Sequence, residues 1–153
     1  MKAVVQRVFE AKVTADGVFS GKCGRGLYIL LGVMKGDAAE DAVLLAEKIS
    51  KLRIFSDDCG KMNLSIKDID GEALVVSNFT LAANYAHGNR PDYFNGAAPD
   101  EANRLYEKFI SELKSRVRSC ESGVFGSDMK TEMVTDGPVT IVMDSNDLKK
   151  RAT

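Results

Sequence analysis

Leu27-Tyr28-Ile29-Leu30-Leu31-Gly32-Val33 is the stretch on which the fold turns. It is an unbroken apolar run between Gly26 and Gly36, too short for a helix and suited to a central strand covered on both faces. Residues 27–34 are accordingly expected in the core. Toward the N-terminus, Ala3 to Val8 and Lys12 to Phe19 are rich in β-branched and apolar residues and read as an opening antiparallel pair, with Ala15-Asp16-Gly17 as turn chemistry. Toward the C-terminus, Asp37 can cap a helix over roughly residues 38–52, where Val43, Leu44, Ala46 and Ile49 form an apolar stripe beside a charged face. Asp57, Asp58 and Gly60 mark a turn, and Glu72 to Ser77 returns to strand character.

Farther along, Leu81 to Ala98 is rich in Asn, Ala, Gly and Pro without a clear period, so a long loop is expected, of the length that often carries function. Pro99-Asp100-Glu101 opens a second helix, in which Leu105, Tyr106, Phe109, Ile110 and Leu113 fall at helical spacing and should face the sheet. Two final strands, Met129 to Val134 and Val139 to Met143, are expected on either side of a turn at Thr135-Asp136-Gly137-Pro138. The polar tail from Asp144, ending with Lys149-Lys150-Arg151, is expected to fray. This gives one domain over residues 1–145 and a polar tail over 146–153.

Composition narrows the functional classes. With 44% hydrophobic and 28% charged residues over 153 positions, the chain has globular composition, which argues against disorder, a coiled coil or a membrane protein. Gln6, Arg7, Glu10 and Lys12 interrupt the first apolar run, so a signal peptide is not indicated. Cys23, Cys59 and Cys120 are odd in number, far apart and without a CxxC pair, which speaks against a disulfide framework or a zinc knuckle and fits a cytoplasmic protein. The formal net charge of -1 announces no global field for nucleic acid, and no DNA or membrane partner is expected.

Generic catalytic motifs are missing too. His87 is the sole histidine, GxSxG is absent, and Asp57-Asp58 with one distant histidine is no metal cluster. Gly24-Arg25-Gly26 lacks the full GxGxxG and leads into a strand, so it is no dinucleotide loop. An enzyme built from this chain works with neither metal nor cofactor, relying on backbone donors, positioning and a group supplied by the substrate.

Two short segments add a resemblance: Ser77-Asn78-Phe79-Thr80 at the end of an expected strand, and Gly137-Pro138-Val139-Thr140 between the last two. Together with Gln6-Arg7-Val8, Leu30-Leu31-Gly32-Val33, Arg53-Ile54-Phe55, Gly60-Lys61-Met62-Asn63, Arg90-Pro91 and Ala98-Pro99, in order along nearly the whole chain, they resemble the D-aminoacyl-tRNA deacylase family. The resemblance implies a bent, antiparallel-rich, barrel-like α/β domain with two main helices, forming an isologous homodimer with active sites at the interface. It implies hydrolysis of the ester of D-aminoacyl-tRNA, and of glycyl-tRNA, with the 3′ acceptor end as partner. By the same resemblance, a cis Gly137-Pro138 bond enters the other subunit's pocket and leaves no room for an L side chain. Residues 77–80 lie beside the ester, where the amides of Phe79 and Thr80 can stabilise an oxyanion, while the terminal 2′-hydroxyl assists hydrolysis. Thr80 has the position of a hydroxyl nucleophile but no expected base.

Asn78 stands where the family usually has Gln, which could withdraw an amide hydrogen bond from the pocket; Thr135 stands where Asn is common. Phe125 and Met129 match pocket-lining positions, although core packing explains them equally. Arg7 resembles a residue that supports the Gly-Pro loop across the interface, or else faces solvent on an alternating strand. Lys2, Lys22 and Arg25, and Arg104, Lys108, Lys114, Arg116 and Arg118, are candidate phosphate contacts or ordinary solvated charges. Ser77 sides against the related deacylases that edit small L-amino acids and carry Pro there. A reading from another class, a tRNA-binding protein that kept the fold but not turnover, stays open.

Overall fold

The computed structural model describes residues 1–149. Eight strands, a 3-10 turn and three helices follow in the order β1 (Lys2–Ala15), β2 (Val18–Cys23), β3 (Gly26–Gly32), α1 (Ala39–Ser50), β4 (Phe55–Ser56), β5 (Met62–Leu64), β6 (Glu72–Ser77), the 3-10 turn (Phe79–Ala82), α2 (Pro99–Lys114), β7 (Ser119–Ser122), β8 (Met129–Asp144) and α3 (Ser145–Lys149). The main sheet runs β2-β1-β3-β6-β7, with β8 added on β1, while β4 and β5 form a separate hairpin. Pairing is antiparallel around β1 and parallel for β3–β6 and β6–β7, where α1 and α2 lie in the crossovers.

The expected central strand is where it should be. Leu27, Ile29 and Leu31 pack toward the helices with α1 residues Ala42, Leu45 and Ile49 and α2 residues Leu105, Tyr106, Phe109 and Leu113. Tyr28 points to a second core with Val8, Ala11, Val13, Leu74 and Val76. Each large apolar side chain so buried contributes about 1.5–3 kcal/mol, so β3 is anchored on both faces. Gly26 is required by close approach, because a Cβ there would lie 1.8 Å from the Glu72 carbonyl oxygen.

β1 explains how the sheet bends. It is one continuous strand, so the expected second stretch, residues 12–19, instead straddles a hairpin turn in which Asp16 and Gly17 have φ of 49° and 80°. Its register with β8 shifts between Gln6 and Val8 and again between Val8 and Glu10. Over the same residues its buried side chains pass from the helix-facing core (Ala3, Val5) to the second core (Val8, Ala11, Val13). Bulges increase local twist and re-aim side chains. The first half of β1 pairs with β3 and the second with β2, which curls until the Ser20 hydroxyl donates to the Ser122 carbonyl at 2.9 Å. The sheet is thus nearly closed, with β2 approaching β7.

Three expectations are corrected. Residues 135–138 are not a turn between two strands: β8 runs through them, and both halves pair with β1 in the same direction. Asp37 does not cap α1, since its carboxylate takes the Met34 amide and the N-terminal ammonium, both at 2.6 Å. Asp41 reaches back to the Ala38 amide at 2.9 Å instead. Nor is the whole tail frayed, because residues 145–149 form α3, in which Ser145 is buried and Leu148 packs against the core. Lys150 and Arg151 lie outside the described residues.

Candidate functional site

Ser77 ends β6 in parallel register with Leu31, and the Asn78 amide donates to the Leu31 carbonyl at 2.8 Å, so the chain leaves the sheet at a fixed point. It turns at once into the 3-10 turn. Gly32 permits this, because a Cβ there would meet Leu81 Cβ at 2.8 Å and the Asn78 carbonyl oxygen at 3.1 Å. Asn78 is the N-cap: its Oδ1 accepts the Thr80 amide at 3.2 Å and the Thr80 hydroxyl at 2.5 Å. The Leu81 amide closes onto the Asn78 carbonyl at 3.3 Å. The Phe79 amide, at the first position of the turn, belongs to the N–H groups that a helical turn leaves without an internal acceptor. The Phe79 ring is 66% exposed and meets Tyr93 edge-on with centroids 5.0 Å apart.

The loop that follows is tied to the end of β3 rather than loose. Ala97 N donates to Val33 O at 3.0 Å, Lys35 N to Asn95 O at 2.9 Å, and Asn84 and Asp92 exchange backbone bonds at 2.8 and 2.9 Å. Beneath the turn, the buried Tyr106 hydroxyl lies 3.0 Å from the Val75 carbonyl and 3.3 Å from that of Gly123, and burial pushes its pKa up, so it stays a neutral donor. Phe125 leans on Tyr106 at 6.0 Å between centroids and Met129 packs into the second core, so packing accounts for both. His87 is exposed in the loop.

Gly137 and Pro138 lie elsewhere, exposed on β8 and joined by a cis peptide bond. Gly137 has no room for a side chain, since a Cβ there would sit 2.2 Å from the Val139 nitrogen. Val139 is half-buried against the main core and Thr140 is exposed opposite Gln6. Arg7 holds the segment within the same chain: Nε donates to the Asp136 carbonyl at 3.1 Å, Nη2 to Asp136 Oδ1 at 3.2 Å and Nη1 to the Ile54 carbonyl at 2.6 Å. Its side chain is 11% exposed, which excludes the solvent-facing alternative.

The two segments are not brought together in one chain. β6, β3, β1 and β8 are successive neighbours, so about 14 Å of sheet, three spacings of ~4.8 Å, separates residues 77–80 from 137–138. Two surface hollows, about 420 Å³ between β1, β2 and β8 and about 530 Å³ beside α1, include neither segment. Burial pushes the Cys23 and Cys120 thiols up to about 12, leaving them protonated and inert. Among the described residues no cluster of His, Cys, Asp or Glu could hold a metal, and no helix is long and apolar enough to cross a membrane.

Three of the candidate phosphate contacts in and just beyond α2 have carboxylate partners within the chain. Arg104 pairs with Glu101 at 2.7 Å, and Lys108 and Arg116 pair with Glu112 at 2.8 and 2.7 Å. Arg118 lies 3.8 Å from Asp70, and Arg25 sits over the Phe55 ring at 5.9 Å. Sequence reasoning missed Asp136 as partner of Arg7 and the capping role of Asn78. The latter had a local signal, an Asn two residues before a Thr, as in an Asx-turn.

A family model described as D-Tyr-tRNA(Tyr) deacylase matches residues 4–144. The chain belongs to this deacylase family. A D-aminoacyl-tRNA deacylase of Geobacter sulfurreducens is 51% identical over 145 residues, covering 95% of each chain. One of Anaeromyxobacter dehalogenans is 51% identical over 148 residues, covering 97% of this chain and 99% of the relative. Among solved structures, a c-Myc DNA Unwinding Element Binding Protein superposes with TM-score 0.88 at 37% identity, covering 94% and 98%. A probable eukaryotic D-amino acid tRNA deacylase superposes with TM-score 0.79 at 15% identity, covering 93% and 97%, which supports the fold. The protein is thus an enzyme, a hydrolase of the D-aminoacyl-tRNA deacylase family.

Proposed function

We propose that the protein hydrolyses the ester of D-aminoacyl-tRNA and of glycyl-tRNA at a site completed by two copies of the chain. The observation that carries this reading is the separation of its two halves. Gly137 and Pro138 stand exposed and anchored by Arg7, but across two strands from their own Ser77–Thr80 turn. In an isologous homodimer the same patch meets itself about a two-fold axis, so each Gly137-Pro138 segment can serve the partner's turn.

In that arrangement the esterified 3′ acceptor end lies against residues 77–80, and the Phe79 amide donates to the carbonyl oxygen as negative charge develops on it. Water adds to the carbonyl carbon, the bond to the ribose oxygen breaks, and a carboxylate, the tRNA hydroxyl and one proton result. Thr80 is an unsuitable nucleophile, because its hydroxyl already donates to Asn78 Oδ1 and an amide oxygen is no base. The neighbouring 2′-hydroxyl of the terminal adenosine supplies the assistance. The partner's backbone at residues 137 and 138 faces the α-carbon, admitting hydrogen or a D substituent and colliding with an L side chain. Three unpaired cysteines favour a reducing compartment, so the cytoplasm is the proposed location.

The test is deacylation of matched D-tyrosyl-tRNA and L-tyrosyl-tRNA, with a variant carrying Gly137→Ala and Pro138→Ala as control. Rapid loss of the D ester alone, blunted in the variant, is expected. Binding of tRNA without turnover of either ester would replace the enzyme reading with that of a binding protein.

A further inference from the structure

We infer that Asn78 is a positioning residue that sorts the three amides of the 3-10 turn, occupying two and leaving that of Phe79 for the ester oxygen. The inference rests on the functional reading above. A turn of this kind begins with N–H groups that have no partner inside it. Here they belong to Phe79 and Thr80, whereas the Leu81 amide makes the first bond of the turn itself. The Asn78 carbonyl takes the Leu81 amide at 3.3 Å and its side-chain Oδ1 takes the Thr80 amide at 3.2 Å. Asn78 is itself held by its own amide, bonded to Leu31 in the central strand at 2.8 Å, so both acceptors are referenced to the rigid core.

The same Oδ1 receives the Thr80 hydroxyl proton at 2.5 Å. That hydroxyl is therefore committed as a donor in one direction, and its lone pairs are turned away from Asn78, free to accept from an N–H or O–H of the bound ester. Asn suits this double role because an oxygen on a side chain of this length reaches the amide two residues on. A glutamine oxygen stands one methylene farther out, so Asn78 works as a cap for its own loop rather than as a shortened glutamine. Freed of it, the Thr80 amide would compete with Phe79 for the same oxygen and the hydroxyl would rotate.

The experiment compares wild type, Asn78→Ala and Asn78→Ser. Serine and alanine differ little in volume, but only serine keeps an oxygen able to cap the second amide of a turn. Two readouts are taken: amide hydrogen exchange at Thr80 without tRNA, and kcat and KM on D-tyrosyl-tRNA. In Asn78→Ala, Thr80 exchange is expected to rise about tenfold and kcat to fall about tenfold with KM nearly unchanged, as for an interaction that matters in the transition state. Asn78→Ser is expected to recover most of both. Unchanged Thr80 exchange in the alanine variant, or equal kcat losses in the two variants, would overturn the proposal. Exchange needs no turnover, so an inactive wild type with a protected Thr80 amide would overturn the functional reading while upholding the cap.

Discussion

The Ser77–Thr80 turn and the Gly137–Pro138 segment are built in opposite ways. The first hangs from the carboxyl end of a parallel strand in the middle of the sheet, bonded through backbone to β3 and backed by the buried Tyr106. The second lies exposed on the last strand, at the far edge of β1, where the ladder is broken by bulges and a single arginine supplies the side-chain anchor. A group that must present one N–H to a developing charge gains from a rigid, core-referenced mount. A group that must enter another molecule has to protrude, and its placement then depends on a tether. On the proposed reading, the difference teaches that chemistry and selection fall to separate parts of the fold, the first held by backbone bonds to the core and the second by one arginine.

The comparison can be broken most severely at Phe79. Proline is tolerated at the first position of a helical turn, and the extended backbone of Asn78 (φ −142°, ψ 92°) suits a following proline; the substitution removes the N–H together with the exposed ring that meets Tyr93, so Phe79→Ala, which removes the ring alone, is the control. Phe79→Pro is expected to lower kcat on D-tyrosyl-tRNA by about 10²–10³ while melting within a few degrees of wild type. A loss below tenfold would mean that this amide does not face the charge. Arg7→Ala tests the tether. It removes bonds to Asp136 and Ile54, and the cost is expected near 1–2 kcal/mol of stability, with activity falling about tenfold. A double-mutant cycle with Asp136→Asn should show coupling above about 0.5 kcal/mol; additivity would mean that the pair does not hold the segment.

The smallest effect belongs to a region remote from both. Asp41 is buried, which by itself raises its pKa, but bonds from Lys149, the Ala38 amide and Ser145 outweigh this and hold it below the usual carboxylate range. A depressed folded pKa stabilises above the unfolded value of about 3.9, and the contribution is lost as pH falls through the folded pKa. Asp41→Asn should therefore cost about 1–2 kcal/mol near pH 7, with the half-exposed Lys149 limiting the effect, and the gap from wild type should narrow as pH falls below the unfolded value. Denaturation at pH 3 and pH 7 reads this, and deacylation at pH 7 should be unaltered. A gap independent of pH would show that the carboxylate charge is not what matters.

Much of the scaffold was legible in the chain because it is written in local periodicity. The apolar run at 27–33, the spacing of Leu105, Tyr106, Phe109 and Leu113, and the Asn- and Gly-rich stretch before Pro99 each carried their own signal. β8 did not, because Asp-Gly-Pro reads locally as a turn and only pairing with the distant β1 reveals one continuous strand. Asp37 has cap chemistry, and it was misplaced because its partners, the N-terminal ammonium and the Met34 amide, form only in the fold. The site residues carried no generic catalytic motif. They became visible through resemblance, since the proposed chemistry rests largely on backbone groups, which leave no motif of acids, bases or nucleophiles in the sequence. The ion pairs around α2 were legible as well, because Glu101 with Arg104 and Glu112 with Lys108 and Arg116 stand at helical pair spacing.

The central claim, that one site needs two chains, is tested most directly by subunit mixing. Phe79→Pro and Gly137→Ala homodimers, each expected to lose most of its activity alone, would be co-refolded in equal amounts and assayed on D-tyrosyl-tRNA beside each parent. Random pairing of isologous dimers puts about half of the molecules in the mixed form, each with one site intact, so recovery of about a quarter of wild-type activity is predicted. A mixture no more active than its two components would contradict the account and place the whole site within a single chain.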